Sequence, residues 1–387
     1  MEVFMLWLRE HDGNVSPAAV ARRRAYLNRL EKEVASGAVV HRMEDIPWLL
    51  EGAVSGRRHM IETCAWPYAD QVGLITEVGT SARNLDQLLD LASVTGDDTR
   101  RRRQRVEALM TVDIALAMHS MEPRRQRAER SLNAFVDELD ERRFDGYDHV
   151  TLWSVHDPKD HLVIKTGVGS PPSSLPAGLL LTRPAMRRLM RVGHERIPIL
   201  FNPRNKDRFM TVMKLLRQYR DDKRPGARLE IHDMCGLSLV VPEVSHVEPV
   251  LAALEEHLVA AGATVLDPPS PYDNPTVVTG NPHTGKGFRV AKQTVFIGDQ
   301  PFELQVQAQE DYLNTLYGLT QVNHDSYRVE QALGHYLPVL FPQGVYDVAW
   351  ESKDVGDRIR SWKRRRLSAD LASVAAKLDP ASAPAAA

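Results

Sequence analysis

The amino-acid sequence predicts an α+β fold, in which a helical N-terminal module precedes a mixed or antiparallel sheet with flanking helices. Three observations indicate this fold. Apolar residues recur at helical spacing up to about residue 145, and short apolar segments typical of strands begin near residue 148. Residues 287–307 contain two strand-like segments around Gly298-Asp299, which is the pattern of a β-hairpin. Helices and strands in separate parts of a chain are characteristic of the α+β class.

The helical module is predicted from caps and apolar spacing. Ser16 and Pro17 provide an N-cap and a first-turn proline, and Gly37 is a stop signal for the helix that they begin. A third helix is predicted from Asp98 to His119. The second helix is indicated by apolar residues at positions i, i+3, i+4 and i+7, namely Leu85, Leu88, Leu89 and Ala92.

Strand signals dominate after residue 148. The segments 150–155 and 162–164 are strand-like, and Asp157-Pro158-Lys159-Asp160 between them indicates a hairpin turn. Further strands are predicted at 239–241 and 264–266. Between these, Ser245 and Glu248 have the spacing of a capping box that begins a helix.

Composition excludes several classes of protein. The 387 residues are enough for two or three domains, and a net charge of -2 gives no global attraction to nucleic acid or to a membrane. Two cysteines, Cys64 and Cys235, cannot form a dense disulfide framework. No secretory leader is recognisable, and no apolar run approaches the ~20 residues that span a bilayer. We therefore expect a cytoplasmic protein without a membrane partner.

Cationic residues and distant carboxylates predict a phosphoryl-transfer site. Arg204, Lys206 and Lys214 are suited to a triphosphate, because cationic donors neutralise the charge on its oxygens. Two carboxylates, Asp233 and Glu303, are suited to hold a divalent cation and to take a proton from an attacking hydroxyl. Strand periodicity places Glu303 on a polar face with Gln305 and Gln307, whereas Phe302, Leu304 and Val306 lie on the opposite, apolar face.

Four segments resemble, in the same order, the motifs of the synthetase domain of the RelA/SpoT family, which has a nucleotidyltransferase-like fold. Those enzymes move pyrophosphate from ATP to the 3′-hydroxyl of a guanine nucleotide and make alarmones. The resemblance covers residues of about 195–335. The four segments are 204–214, 233–238, 287–295 and 303–308.

The resemblance implies a role for each matching residue. Asp233 would hold a catalytic Mg²⁺, and Glu303 would help to hold it or act as general base toward the acceptor 3′-hydroxyl. The three basic residues of the first segment, Arg204, Lys206 and Lys214, would bind the ATP phosphates. The acceptor would be bound by Phe288, which would stack on its base, and by Arg289, Lys292 and Gln305.

Three departures from the family pattern leave the identity of the acceptor, and the activity itself, undetermined. Ser238 stands where the family has an arginine, Lys292 where it has a histidine, and Gln307 where it has a second arginine. One explanation is an acceptor other than free GDP or GTP, such as another nucleotide or an RNA end. A second is a domain that binds a nucleotide or RNA as a sensor without catalysing. A third is a chance match in an α+β regulatory protein.

These signals predict five parts of the chain. Residues 1–145 form the helical module, 146–200 a small β element or connector, and 201–340 the RelA/SpoT-like synthetase domain. Residues 341–378 form a C-terminal helical segment, and the Ala- and Pro-rich residues 379–387 a disordered tail.

Overall fold

The protein has an α+β fold with one eight-stranded mixed sheet, which confirms the predicted fold class. A computed structural model of the chain describes residues 16–35, 46–72, 82, 84–96, 98–221, 231, 233–266, 269–272, 288–319 and 323–377. Gly37, Gly287 and the predicted tail at 379–387 lie outside the described residues. Within the described part, no helix is both long enough and apolar enough to cross a bilayer.

Nine labelled helices and eight strands are used below. The helices are α1 (Pro17–Ala35), α2 (Ile46–Met60), α3 (Leu85–Ser93), α4 (Thr99–Arg143), α5 (Arg208–Asp221), α6 (Val247–Ala260), α7 (Gln309–Tyr317), α8 (His324–Gln331) and α9 (Lys353–Lys377). Short helical turns continue α2 (Ile61–Ala65, Trp66–Tyr68, Ala69–Val72) and α8 (Ala332–Tyr336, Leu337–Leu340). The strands are β1 (Phe144–His156), β2 (Val163–Val168), β3 (Leu179–Val192), β4 (Glu195–Asn205), β5 (Cys235–Val241), β6 (Thr264–Val265), β7 (Ala291–Ile297) and β8 (Gln300–Ala308).

The chain divides into two compact units, each assembled from three segments. The first unit comprises Met1–Gln126, Lys206–Ile231 and Val329–Arg360, and the second comprises Arg127–Asn205, His232–Arg328 and Ser361–Ala387. These units do not coincide with the five predicted parts. Helix α5, which the sequence places inside the synthetase-like domain, belongs to the first unit because its apolar face is part of that unit's helical core.

The first unit is a helical assembly around a large apolar core. Its first helix begins as predicted, because the Ala19 backbone N–H donates to Ser16 Oγ at 3.1 Å. Phe209 of α5 is buried against Gly56 of α2. A Cβ atom at Gly56 would lie 2.2 Å from the Phe209 ring, so this contact requires glycine. The four apolar residues that predict α3 are all buried: Leu85, Leu88, Leu89 and Ala92.

Helix α4 extends well beyond the predicted end at His119. It is 45 residues long and ends at Arg143. The prediction was wrong because arginines and Pro123 interrupt the apolar pattern near the predicted end. Beyond that interruption, buried residues return at helical spacing, at Ala128, Leu132, Phe135 and Leu139.

The sheet of the second unit has the strand order β2-β1-β3-β4-β5-β8-β7-β6. All neighbouring strands are antiparallel except β5 and β8, which are parallel. The hairpin predicted at 150–164 is confirmed as β1 and β2, and the hairpin at Gly298-Asp299 as β7 and β8. Residues 146–200 are not a separate small element, because β3 pairs with both β1 and β4 and so continues the same sheet.

Helix α6 confirms one local prediction and corrects another. Ser245 lies inside a short turn, Val244–His246, that precedes the helix, so it does not cap α6 as the predicted capping box requires. The Ser245 hydroxyl instead contacts the carboxylate of Glu243. The predicted stop at Gly262 is confirmed: its φ of 68° allows the Ala263 N–H to donate back to the Leu258 carbonyl at 2.9 Å.

Three buried histidines predict acid sensitivity of the second unit. Burial lowers the pKa of His156, His161 and His257 below the ordinary value of 6.5. Each ring binds a proton more readily in the unfolded chain, so this stability is present above pH 6.5 and is lost as the pH falls below it. Urea unfolding between about pH 8 and about pH 5 is expected to show this loss. It should diminish in His257→Gln and remain in His149→Gln, since His149 is exposed on β1.

Candidate functional site

Glu303, one of the two residues predicted for catalysis, and Arg204, a predicted ATP ligand, meet where β4, β5 and β8 pair. Arg204 of β4 lies opposite Gly236 of β5, and Gly236 lies opposite Glu303 of β8. Gly236 permits this row, because a Cβ atom at that position would lie 2.5 Å from the Glu303 backbone oxygen. The close approach of backbones therefore sets the position of Glu303 beside Arg204.

Gly236→Ala is expected to destabilise the protein by about 1–3 kcal/mol, because the added methyl group must push β5 and β8 apart. Thermal and urea unfolding measure the loss. Gly334→Ala is the matched control, since a Cβ atom there would meet nothing within 4 Å. Equal stability of the two variants would contradict the close approach of Gly236 to Glu303.

A hydrogen-bonded network surrounds the Glu303 carboxylate. Arg204 donates through Nη2 to Glu303 Oε2 at 2.5 Å and through Nη1 to Gln305 Oε1 at 3.1 Å. Gln305 Nε2 donates to the same Glu303 Oε2 at 2.7 Å, and Lys292 Nζ lies 3.9 Å from Oε1. Three strands thus bring two cations and an amide to one carboxylate, while the Arg204 side chain remains 43% exposed.

The predicted alternation of β8 is confirmed on its apolar face and partly corrected on its polar face. Phe302, Leu304 and Val306 are fully buried, as the period of two requires. On the polar face, however, Gln305 is only 6% exposed and Gln307 only 4%. On this polar face, Glu303 is more accessible than either glutamine, since its side chain is 19% exposed.

Two aromatic contacts organise the predicted acceptor side. Lys292 Nζ lies 5.2 Å from the centre of the Phe288 ring, and the Arg289 guanidinium lies 5.1 Å from the centre of the Tyr272 ring. Both pairs have the geometry of cation–π contacts. Each pair thus combines an aromatic ring, on which a planar base can stack, with a cation, which can bind a phosphate.

Tyr272 and Asp311 are site neighbours that the sequence patterns did not identify. The Tyr272 hydroxyl donates to Asp311 Oδ2 at 2.5 Å and accepts from the Ala308 N–H at 2.8 Å, at the end of β8. Burial, followed by the hydrogen bond to Asp311, raises the pKa of Tyr272 well above its usual range. Arg289 Nη1 lies 3.7 Å from the same Asp311 oxygen.

The remaining predicted residues are placed differently from Glu303. Asp233 lies in the turn two residues before β5, at the end of the strand where Gly236 pairs with Glu303. Lys206 and Lys214 belong to the first unit. Lys214 lies on α5, whereas Lys206 lies two residues before that helix begins at Arg208. Asp207 caps this helix, since its Oδ1 accepts from the Met210 N–H at 3.0 Å.

The number of carboxylates near the site determines which metal ions it could bind. Among the described residues, no group of three or more His, Cys, Asp or Glu side chains is placed to hold a metal ion. Mg²⁺ needs fewer protein ligands, because it keeps several waters and often uses one or two carboxylates together with substrate phosphates. Asp233 and Glu303 supply the number of carboxylates that such a site uses, and Glu303 Oε1 lies 3.9 Å from Lys292 Nζ.

No protein-family model matches the chain, and no curated protein matches it. The resemblance to the RelA/SpoT synthetases therefore rests on the order and spacing of the motif residues alone.

Proposed function

We propose that the second unit carries the site of a Mg²⁺-dependent pyrophosphokinase, which transfers pyrophosphate from ATP to the 3′-hydroxyl of a nucleotide or RNA acceptor. The observation that carries the proposal is the convergence of Arg204, Lys292 and Gln305 on Glu303 from three strands. Phosphoryl transfer depends mainly on positioned cations and a group that orients the acceptor hydroxyl. This cluster contains both kinds of group.

Each residue has a defined part in the proposal. Glu303 accepts the proton of the acceptor hydroxyl, and Asp233 would hold Mg²⁺. The ion, when bound, neutralises charge on the ATP phosphates. The Arg204 side chain is accessible to a phosphate oxygen, because 43% of it is exposed. Lys206 and Lys214 belong to the first unit, and their role as phosphate ligands is implied by the motif resemblance alone.

A second candidate is a catalytically inactive nucleotide or RNA sensor with the same fold. The observation that favours it is the engagement of Glu303 Oε2 by both Arg204 and Gln305. These two hydrogen bonds must be released before that oxygen can contact an acceptor hydroxyl. The replacement of family residues at Ser238, Lys292 and Gln307 agrees with the same candidate.

One experiment separates the two candidates. The pure protein is incubated with Mg²⁺ and β/γ-labelled ATP in the presence of GDP, GTP, other nucleotides or bulk RNA, beside an Asp233→Ala/Glu303→Ala control. Transfer of label with release of AMP, absent in the control, is the expected result and identifies the acceptor. Nucleotide binding without transfer would favour the sensor. Absence of both would overturn the pyrophosphokinase and the sensor alike.

A further inference from the structure

A serine–histidine pair lies on β1 of the second unit, separated from β8 and Glu303 by three strands of the sheet. Ser154 Oγ and His156 Nε2 are 2.8 Å apart, and both side chains are buried. The two residues are two positions apart on a strand, so their side chains lie on the same face. The other ring nitrogen, His156 Nδ1, lies 2.8 Å from the backbone oxygen of His161.

These contacts fix the direction of the hydrogen bonds. A carbonyl oxygen only accepts, so Nδ1 of His156 must carry the proton of the neutral ring. Nε2 is then the acceptor, and the Ser154 hydroxyl donates to it. Burial lowers the pKa of His156, which keeps the ring neutral at neutral pH. A serine hydroxyl that donates to a histidine, itself oriented by a third group, has the geometry of an activated nucleophile.

The orienting carbonyl belongs to a residue with an unusual backbone conformation. His161 has a φ of 61°, and among the described residues it is the one non-glycine residue with a positive φ. The turn around it is fixed by backbone hydrogen bonds between Asp157 and His161 and between Asp157 and Leu162, both 2.9 Å long. Unfavourable backbone conformations of this kind cluster at functional sites. Here the conformation positions the acceptor for His156.

Ser154 lines a cavity of about 40 Å³ between the sheet and two helices. The lining includes Leu152 and Leu181 from the strands, Leu313 and Tyr317 from α7, and Val374 from α9. One water-sized group needs about 10–15 Å³ of such volume, so the cavity has room for roughly three non-hydrogen atoms. Its size and its mainly apolar lining suit a short acyl group better than a phosphoryl group.

Arg183 supplies an unused donor at the same cavity. It lies opposite Leu152 in the β1–β3 ladder, so it shares the sheet face of Ser154. The Nε–H of Arg183 is buried and has no hydrogen-bond partner among the described residues. A buried donor without an acceptor is costly in a folded protein. An oxygen atom that develops negative charge in the cavity would provide the missing acceptor.

We propose that Ser154 is a nucleophile that accepts an acyl group of acetyl size from an activated ester, with His156 as general base and the Arg183 Nε–H as donor to the oxyanion. Ser154 Oγ attacks the ester carbonyl carbon while its proton moves to His156 Nε2. The bond to the leaving alcohol then breaks, and the leaving oxygen takes the proton from Nε2, which yields acyl-Ser154. Water repeats the two steps and releases the carboxylic acid. This activity is independent of the site at Glu303.

The test uses p-nitrophenyl acetate with the full chain at neutral pH. We expect acetylation of Ser154, located by peptide mass mapping, with a matching burst of p-nitrophenolate. The Ser154→Ala variant should lose both, and His156→Gln should slow acetylation by roughly 10²–10⁴-fold, the usual contribution of a general base. Ser245→Ala is the matched control, because Ser245 is an exposed serine of the same unit whose hydroxyl contacts Glu243, and it should behave as wild type.

Two further measurements keep the proposal testable if a variant fails to fold. Thermal melting of each variant establishes whether it is folded. In wild-type protein, the acetylation rate should rise with the deprotonation of His156, with a midpoint below pH 6.5 because burial lowers the pKa of that ring. Acetyl groups found only on lysine or tyrosine, with Ser154 unmodified, would overturn the proposal. So would acetylation of Ser154 at an unchanged rate in folded His156→Gln.

Discussion

Asp113→Ala is expected to destabilise the protein by about 3–5 kcal/mol, because it leaves a buried guanidinium without the carboxylate that faces it. Arg23 of α1 donates through Nε to Asp113 Oδ1 at 2.9 Å and through Nη2 to Oδ2 at 2.8 Å. The two side chains are 1% and 0% exposed. Burial raises the pKa of Asp113 to about 6 despite the adjacent arginine, so the carboxyl is ionised at neutral pH.

Urea unfolding at neutral pH measures this loss. An exposed pair in the same unit, Arg24 and Asp90 at 2.7 Å, provides the matched control. Asp90→Ala should cost less than about 1 kcal/mol, since water screens exposed ion pairs. Joint replacement of Arg23 and Asp113 by apolar residues should recover most of the stability. Similar losses for Asp113→Ala and Asp90→Ala would contradict the effect of burial.

Local signals in the sequence predicted the elements whose stabilising contacts lie close together in the chain. Ser16 accepts a hydrogen bond from the third residue after it, and Gly298 provides the positive φ that closes the β7–β8 turn. The capping box at Ser245 and Glu248 failed although its spacing was correct. An additional turn at Val244–His246 places Ser245 outside the capping position, and the residue pattern contains no information about that turn.

Strands β3 and β4 were missed because long-range pairing decides their structure. The sequence of β3 contains four arginines, which hide any alternation of apolar and polar residues. Their charges are met by residues distant in sequence: Arg187 pairs with Asp148 at 2.5 Å, and Arg188 with Asp140 at 2.7 Å. Strand β4 contains two prolines, which lower its strand propensity. Neither partner carboxylates nor strand neighbours can be inferred from the local pattern.

In the candidate site, too, the sequence predicted the local arrangement within one strand but not the contacts between strands. The period of two along β8 placed Glu303 and Gln305 on one face, and the structure has them hydrogen-bonded to each other. The contact between Glu303 and Arg204 joins residues 99 positions apart, on β8 and β4. Spacing within one strand is a local property, whereas the row from Arg204 through Gly236 to Glu303 depends on strand order.

Glu303→Gln is expected to reduce pyrophosphate transfer by roughly 10²–10⁴-fold, because the amide cannot accept the proton of the acceptor hydroxyl. Nucleotide binding should not weaken in this variant. Loss of the negative charge releases the Arg204 guanidinium from its ion pair, so that it is available to the ATP phosphates. We therefore expect unchanged or tighter ATP binding together with slow transfer, a combination that a general loss of structure does not produce.

Label transfer and calorimetric titration with ATP measure the two effects in the same protein preparation. Glu256→Gln is the matched control, since Glu256 is 71% exposed and pairs with Arg143 on the surface of the same unit. It should leave both transfer and binding as in wild type. If Glu303→Gln transferred pyrophosphate at the wild-type rate, Glu303 would not be the base. If it lost ATP binding and transfer together, the carboxylate would serve mainly to hold Mg²⁺ with the nucleotide, and proton transfer would have to be assigned to another group.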